Sequence, residues 1–178
     1  DDVVVEDHAA PAPEGGRPVP VRVYRPREAD GPLPALLWLH GGGYILGDAY
    51  QDQKANLALV RELGIAVASV DYRLAPEDPF PAAVDDGYAA LRWLHASADE
   101  LGVKPDRLAV GGASAGGGLA AGVVLKAHDE AEVPVAFQLL IYPMLDDRTV
   151  VRPELDDSAC RMWTAPSNRF GWGAYLGA

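Results

Sequence analysis

An α/β architecture with a mainly parallel sheet is predicted by two features of the sequence. Segments that read as strands alternate with segments of helical periodicity through most of the 178 residues. The central strand candidate Ala35 to Leu39 is a continuous apolar run, the pattern of a strand covered on both faces, and Ile65 to Val70 reads as the next buried strand. The length suits one domain with a real core.

Taken in order, Val3 to His8 and Val19 to Tyr24 alternate as two strands, with Glu14-Gly15-Gly16 as the turn between them. Pro11, Pro13, Pro18 and Pro20 donate no ladder hydrogen bonds, which places this hairpin at a sheet edge. After the strand Ala35 to Leu39, Asp48 is expected to cap a helix with Gln51 as its capping-box partner, and Gly64 to stop it. Ile65 to Val70 is the next strand and Asp71 to Glu77 a loop. Pro81 opens a helix whose Val84, Tyr88, Leu91 and Leu94 form one apolar stripe, ended by Gly102. Arg107 to Gly111 is a strand, Ala115 to His128 its helix, and Val135 to Ile141 a further strand. From Leu145 on, charges, Gly, Pro and aromatics mix without a clear period.

Composition excludes several classes. The formal net charge of −11 argues against a nucleic-acid partner. Half the residues are hydrophobic, yet no apolar run reaches the length of a membrane span. The first apolar run, Val3 to Val5, is too short for a signal peptide. The single Cys160 leaves no internal disulfide and fits a reducing compartment, so a cytoplasmic location is expected. Asp1 stands where a translated chain begins with Met, so a processed or trimmed N-terminus is expected.

Two glycine-rich stretches carry chemistry. Gly112-Ala113-Ser114-Ala115-Gly116 is a G-x-S-x-G pentapeptide between an apolar strand and a small-residue helix, the context a nucleophile elbow requires. Glycines two residues either side of Ser114 remove Cβ atoms that would strike the neighbouring strand and helix. His40-Gly41-Gly42-Gly43-Tyr44 follows a buried strand. Three glycines there are costly unless the backbone itself is needed, and their N–H groups suit a negative oxygen.

These two stretches, with Asp71-Tyr72-Arg73-Leu74-Ala75-Pro76-Glu77 and Phe80-Pro81-Ala82-Ala83 in the same order and spacing, resemble the hormone-sensitive-lipase-like carboxylesterases of the α/β-hydrolase superfamily. The likeness covers nearly the whole chain. It implies an α/β-hydrolase fold and hydrolysis of short-chain acyl esters through an acyl-enzyme on Ser114, with no cofactor and no metal. By position, Gly42, Gly43 and the N–H of Ala115 would form the oxyanion hole. His40 would brace the glycine loop. Ala113 departs from the acidic residue often found there, and Asp78 from a histidine. Residues 1–144 would be an incomplete hydrolase core and 145–178 the start of the cap segment.

The base is not found. In this fold the triad runs Ser, Asp or Glu, then His. Only His128 follows Ser114, fourteen residues along the same helix and so about 20 Å away at ~1.5 Å per residue. His8 and His95 read as ordinary strand and helix residues, and Asp146 and Asp147 as a solvated turn or, less simply, a triad acid. The triad Asp and His, with the C-terminal strands that carry them, are therefore expected beyond residue 178. On that reading residues 1–178 alone are inactive, and a companion chain carrying the missing part, or a homodimer, is a candidate partner beside the small-molecule ester. The alternative is a hydrolase-fold ligand-binding protein without catalysis. A nucleotide site at Gly116 to Ala121 is disfavoured because the glycines fall inside the helix, and a metal hydrolase because no residues have ligand spacing. An ion pair of Arg73 with Asp85 or Asp86 is expected to brace the turn near the elbow. Trp163, Phe170, Trp172 and Tyr175 are candidates for a substrate pocket or for ordinary packing.

Overall fold

The computed structural model describes residues 2–13, 16–152 and 158–178. Six strands form one sheet in the order β1-β2-β4-β3-β5-β6. They are β1 (Val3–Ala10), β2 (Val19–Pro26), β3 (Leu33–Leu39), β4 (Ala66–Val70), β5 (Val103–Ala113) and β6 (Phe137–Ile141). β1 and β2 pair antiparallel, and β2 pairs antiparallel with β4; β4, β3, β5 and β6 are mutually parallel. The proline-flanked hairpin thus lies at one edge, as its missing donors require. Glu14 and Gly15 of its expected turn lie outside the described residues.

β3 shows why its run is continuous. Leu37 and Leu39 point into a core formed with Leu91, Leu94, Leu108, Leu119 and Val123, whereas Leu36 and Trp38 point into a second core with Tyr24, Val60 and Val67. Successive side chains alternate between faces, so a strand buried on both sides needs apolar residues throughout. The first core lies under α2 (Ala82–Ala96) and α4 (Ala115–Glu130); α1 (Gln53–Leu63) supplies Val60 to the second.

Three local expectations are corrected. The Asp48–Gln51 capping box does not form. The Asp48 carboxylate accepts from the N–H groups of Tyr50 (2.8 Å) and Gln51 (3.0 Å) in a turn ahead of α1, and Gln51 instead donates to the Gly41 carbonyl (3.3 Å). Asp52, next to α1, is drawn away by the Trp38 indole N–H at 2.8 Å. Second, the helix opened by Pro81 breaks at Ser97. A short α3 (Ala98–Leu101) follows, and it is this turn that Gly102 ends with φ of 66°. Third, the C-terminal stretch contains a 3₁₀ turn (Asp147–Val151) and a real helix, α5 (Ala165–Leu176). Thr164 caps α5 by accepting from the Ser167 N–H, and Gly177 stops it with φ of 74°. Trp172 and Tyr175 of α5 join the larger core. Among the described residues no helix is long and apolar enough to cross a membrane.

Candidate active site

β5 ends at Ala113 and α4 begins at Ala115, so the whole reversal falls on Ser114. Its φ of 57° and ψ of −119° are a conformation L-residues rarely adopt. Holding a non-glycine residue there costs on the order of 1–3 kcal/mol, and the surroundings must over-determine it. They do: the Ser114 N–H donates to the Ile141 carbonyl of β6 (2.9 Å), and the Ser114 carbonyl accepts from the N–H groups of Met144 (2.9 Å) and Gly118 (3.1 Å). The flanking glycines have the role their spacing suggests. A Cβ on Gly116 would overlap the carbonyl oxygens of Leu39 and His40, and one on Gly112 the Gly116 carbonyl. Both obstacles are backbone, which cannot swing aside. None of the described residues hydrogen-bonds the half-buried Ser114 hydroxyl.

The glycine loop follows β3, the neighbour of β5. A Cβ on Gly41 would stand 3.6 Å from that of Ser114, so loop and elbow are in contact. Gly42 and Gly43 have φ of 129° and 61°, which only glycine adopts without strain. The Gly42 carbonyl accepts from Ile45 and Leu46, turning the loop, while the N–H groups of Gly42 and Gly43 have no acceptor among the described residues. The N–H of Ala115, at the first turn of α4, has no intrahelical acceptor either.

His40 is fully buried beneath this loop. Its Nδ1 lies 2.7 Å from the Gly41 carbonyl, and its ring stacks on Tyr72 with centroids 4.2 Å apart. The Tyr72 hydroxyl donates to the His40 carbonyl at 2.6 Å. Burial holds the imidazole below its ordinary pKa, so it is neutral near pH 7 and donates from Nδ1. Tyr44 secures the other end. Its hydroxyl donates to the Met144 carbonyl (2.9 Å) and its ring stacks on Tyr175 at 4.0 Å. Burial pushes the Tyr44 phenol pKa up, so it stays a donor.

Arg73 pairs with Asp86 and not with Asp85. Its Nη2 lies 2.8 Å from Asp86 Oδ1, and Nε and the backbone N–H each lie 2.9 Å from Oδ2. Asp85 is taken by Lys126 at 2.7 Å. Of the candidate pocket aromatics, Trp172 and Tyr175 pack on Tyr44, Trp163 lies against Gly43, and Phe170 is exposed. The roles of Tyr44, Tyr72 and Trp163 were not legible in the sequence, because each depends on a contact with a distant segment.

The other imidazoles are elsewhere: His8 on edge strand β1, His95 in the last turn of α2 and His128 in the last turn of α4. Asp146 accepts from the Arg148 backbone N–H and side chain, and that guanidinium holds its carboxyl below the usual range. Among the described residues no group of three or more His, Cys, Asp and Glu is placed to hold a metal. A cleft of about 780 Å³ is lined by Pro11, Tyr88, Trp93 and Lys126 and includes neither Ser114 nor the glycine loop.

A serine strained onto a helix N-terminus beside a glycine loop, at the C-terminal ends of adjacent parallel strands, defines a hydrolase-type fold. The chain belongs to the alpha/beta hydrolase fold family, whose sequence model matches residues 36–178, and within it to the hormone-sensitive-lipase-like carboxylesterase branch. It is similar to the carboxylic ester hydrolase LipN of Mycobacterium tuberculosis, 47% identical over 150 residues (81% of this chain, 39% of LipN). It is similar also to the carboxylesterase NlhH of the same organism, 46% identical over 132 residues (73% of this chain, 41% of NlhH). Among solved structures it superposes on a bacterial heroin esterase with a TM-score of 0.93 and 49% identity, covering 99% of this chain and 56% of that one. The chain thus spans about two fifths of the length of these curated relatives.

Proposed function

We propose that this chain carries the nucleophile and oxyanion donors of a serine carboxylesterase acting on short-chain acyl esters. The observation that carries the reading is Ser114, strained at the N-terminus of α4, with the N–H groups of Gly42 and Gly43 in the adjoining loop unpaired among the described residues. Ser114 Oγ attacks the ester carbonyl carbon. Its proton passes to an imidazole contributed from beyond residue 178, where the triad Asp and His are expected. The carbonyl oxygen becomes an oxyanion met by Gly42, Gly43 and Ala115 N–H groups. Collapse of that adduct expels the alcohol, which takes up the proton, and leaves the acyl group on Ser114; water then releases the acid by the same steps. His40, buried and neutral, braces the loop and moves no proton.

Residues 1–144 are then a hydrolase core completed by later sequence, and 145–178 the start of a cap. The names of the similar proteins support ester hydrolysis. Packing of Trp172 on Tyr44 beside the loop supports short acyl groups. We place the protein in the cytoplasm, with a small-molecule ester as its partner and either a companion chain or a second copy as the protein partner.

The test is to treat the full-length protein with a fluorophosphonate and map the adduct by mass spectrometry. An adduct on Ser114, and loss of ester turnover in Ser114→Ala, are expected. An adduct on Ser158 or Ser167, or undiminished turnover in Ser114→Ala, would overturn the assignment. Tight ester binding with no adduct and no turnover would favour a binding protein that lacks a base.

A further inference from the structure

The glycine loop is held by a residue outside every motif. The face of Gly43 that would carry a side chain in any other amino acid is filled by the ring of Trp163: a Cβ there would overlap its Cη2 and Cζ3. Gly171 of α5 completes the contact, since a Cβ on it would meet the Gly43 carbonyl at 2.8 Å and the Trp163 ring at 3.0 Å. The far end of the indole is tethered. Trp163 Nε1 donates to Asn168 Oδ1 (3.1 Å), the Asn168 amide to Thr149 Oγ1 (3.0 Å), and the Thr149 hydroxyl to the Asp146 carbonyl (2.8 Å).

The Gly43 N–H shares a peptide with the Gly42 carbonyl, which Ile45 and Leu46 hold at one end; the other end is the Cα of Gly43, a glycine at φ of 61° with wide backbone freedom, and it is there that the Trp163 ring packs. We infer that Trp163 is a positioning residue for the oxyanion loop, its tethered ring pressing on Gly43 and fixing the orientation of that peptide. This inference rests on the reading of Gly43 as an oxyanion donor. It assigns the tether through Asn168 and Thr149 a catalytic consequence, their hydrogen bonds running to Trp163, to each other and to the Asp146 carbonyl. It also separates Trp163 from a pocket wall. A wall residue changes substrate affinity, whereas a residue that sets a donor changes the rate of the bound substrate.

The experiment measures kcat and KM for p-nitrophenyl acetate, and the affinity for a trifluoromethyl ketone whose adduct anion takes the oxyanion position, in the full-length enzyme. Since a misplacement of about 1 Å can cost ~100-fold, Trp163→Ala is expected to lower kcat about 10- to 100-fold, with ketone affinity falling in parallel. KM is expected to stay within about threefold. Unchanged kcat in folded Trp163→Ala, or a rise in KM alone, would overturn the inference. Where Trp163→Ala does not fold, Asn168→Leu carries the test: a lower kcat at constant KM supports the inference, and an unchanged kcat overturns it. Ser114→Ala, assayed alongside, keeps the two readings apart. Its continued activity would sink the serine reading, whereas an inactive Ser114→Ala beside an unaffected Trp163→Ala would sink this inference alone.

Discussion

The Arg73–Asp86 pair provides a stability test whose size follows from its geometry. Asp86 lies on α2 with its carboxylate almost wholly buried, and it receives Arg73 Nε, Nη2 and backbone N–H within 3 Å. Replacing Asp86 by Ala strands all three donors. What remains for the guanidinium is the Ala82 carbonyl at 3.4 Å and the more exposed Asp78 at 3.7 Å. Removing one partner of a buried pair typically costs about 3–5 kcal/mol, far more than an exposed pair contributes. In a domain of this size that lowers Tm by roughly 6–20 °C, and in a longer full-length protein by proportionately less. Urea and thermal unfolding of the full-length protein near pH 7 measure both. The cost belongs to the stranded charge, so Arg73→Met combined with Asp86→Leu is expected to recover most of it. A loss below about 1 kcal/mol in Asp86→Ala, or a double variant no better than the single one, would refute the argument.

Two further outcomes follow from the site. Replacing the Gly42–Gly43 amide by an ester, with glycolic acid at position 43, deletes one N–H without a side chain; kcat is expected to drop about 100- to 1000-fold with KM little changed, and an unaltered kcat would make the loop a mere turn. Burial depresses the His40 pKa, so below about 6.5 the unfolded chain binds a proton that the folded one refuses. The His40 contribution to stability is therefore complete above that pH and falls as pH drops, by up to about 1.4 kcal/mol per pH unit, until the folded-state pKa is reached. Urea unfolding between pH 5 and 8 is expected to show this slope and to lose it in His40→Asn; an identical slope in the variant would remove His40 as its source.

The core strands and the two glycine motifs were legible because local chemistry dictates them. A strand buried on both faces has to be apolar throughout, and a backbone that closely approaches another has to be glycine. The same reasoning failed where a distant partner decides. Asp48 and Gln51 have the spacing of a capping box, but Gln51 finds the Gly41 carbonyl and Asp52 the Trp38 indole. The break at Ser97 has no breaker residue to announce it. α5 was read as irregular because Gly171 and Gly173 dilute its pattern. Thr164 before it and Gly177 after it are nevertheless a start and a stop, and they were the signal available. What makes the helix form is the packing of Trp172 and Tyr175 on Tyr44, a contact no local pattern encodes.

Strain in this chain has a location, and the location argues for a site. Among the described residues four non-glycine residues have positive φ, and three of them, Tyr44, Ser114 and Tyr142, follow the C-terminal ends of β3, β5 and β6. These are adjacent parallel strands. The connection after β3 leads to β4 on one side, and that after β5 leads to β6 on the other, so a crevice opens between β3 and β5 where parallel sheets bind ligands. The fourth, Ala131, merely ends α4. Each strained residue costs on the order of 1–3 kcal/mol and persists only if its neighbours fix it. Here the strained residues fix one another's segments. Ser114 bonds the last residue of β6 and the Met144 N–H, and the carbonyl of Met144 receives the Tyr44 hydroxyl. The turn after β6 thereby joins the serine to the glycine loop. Displacement of any one of the three would loosen the other two, which is the behaviour expected of a rigid, preorganised site and not of three independent turns.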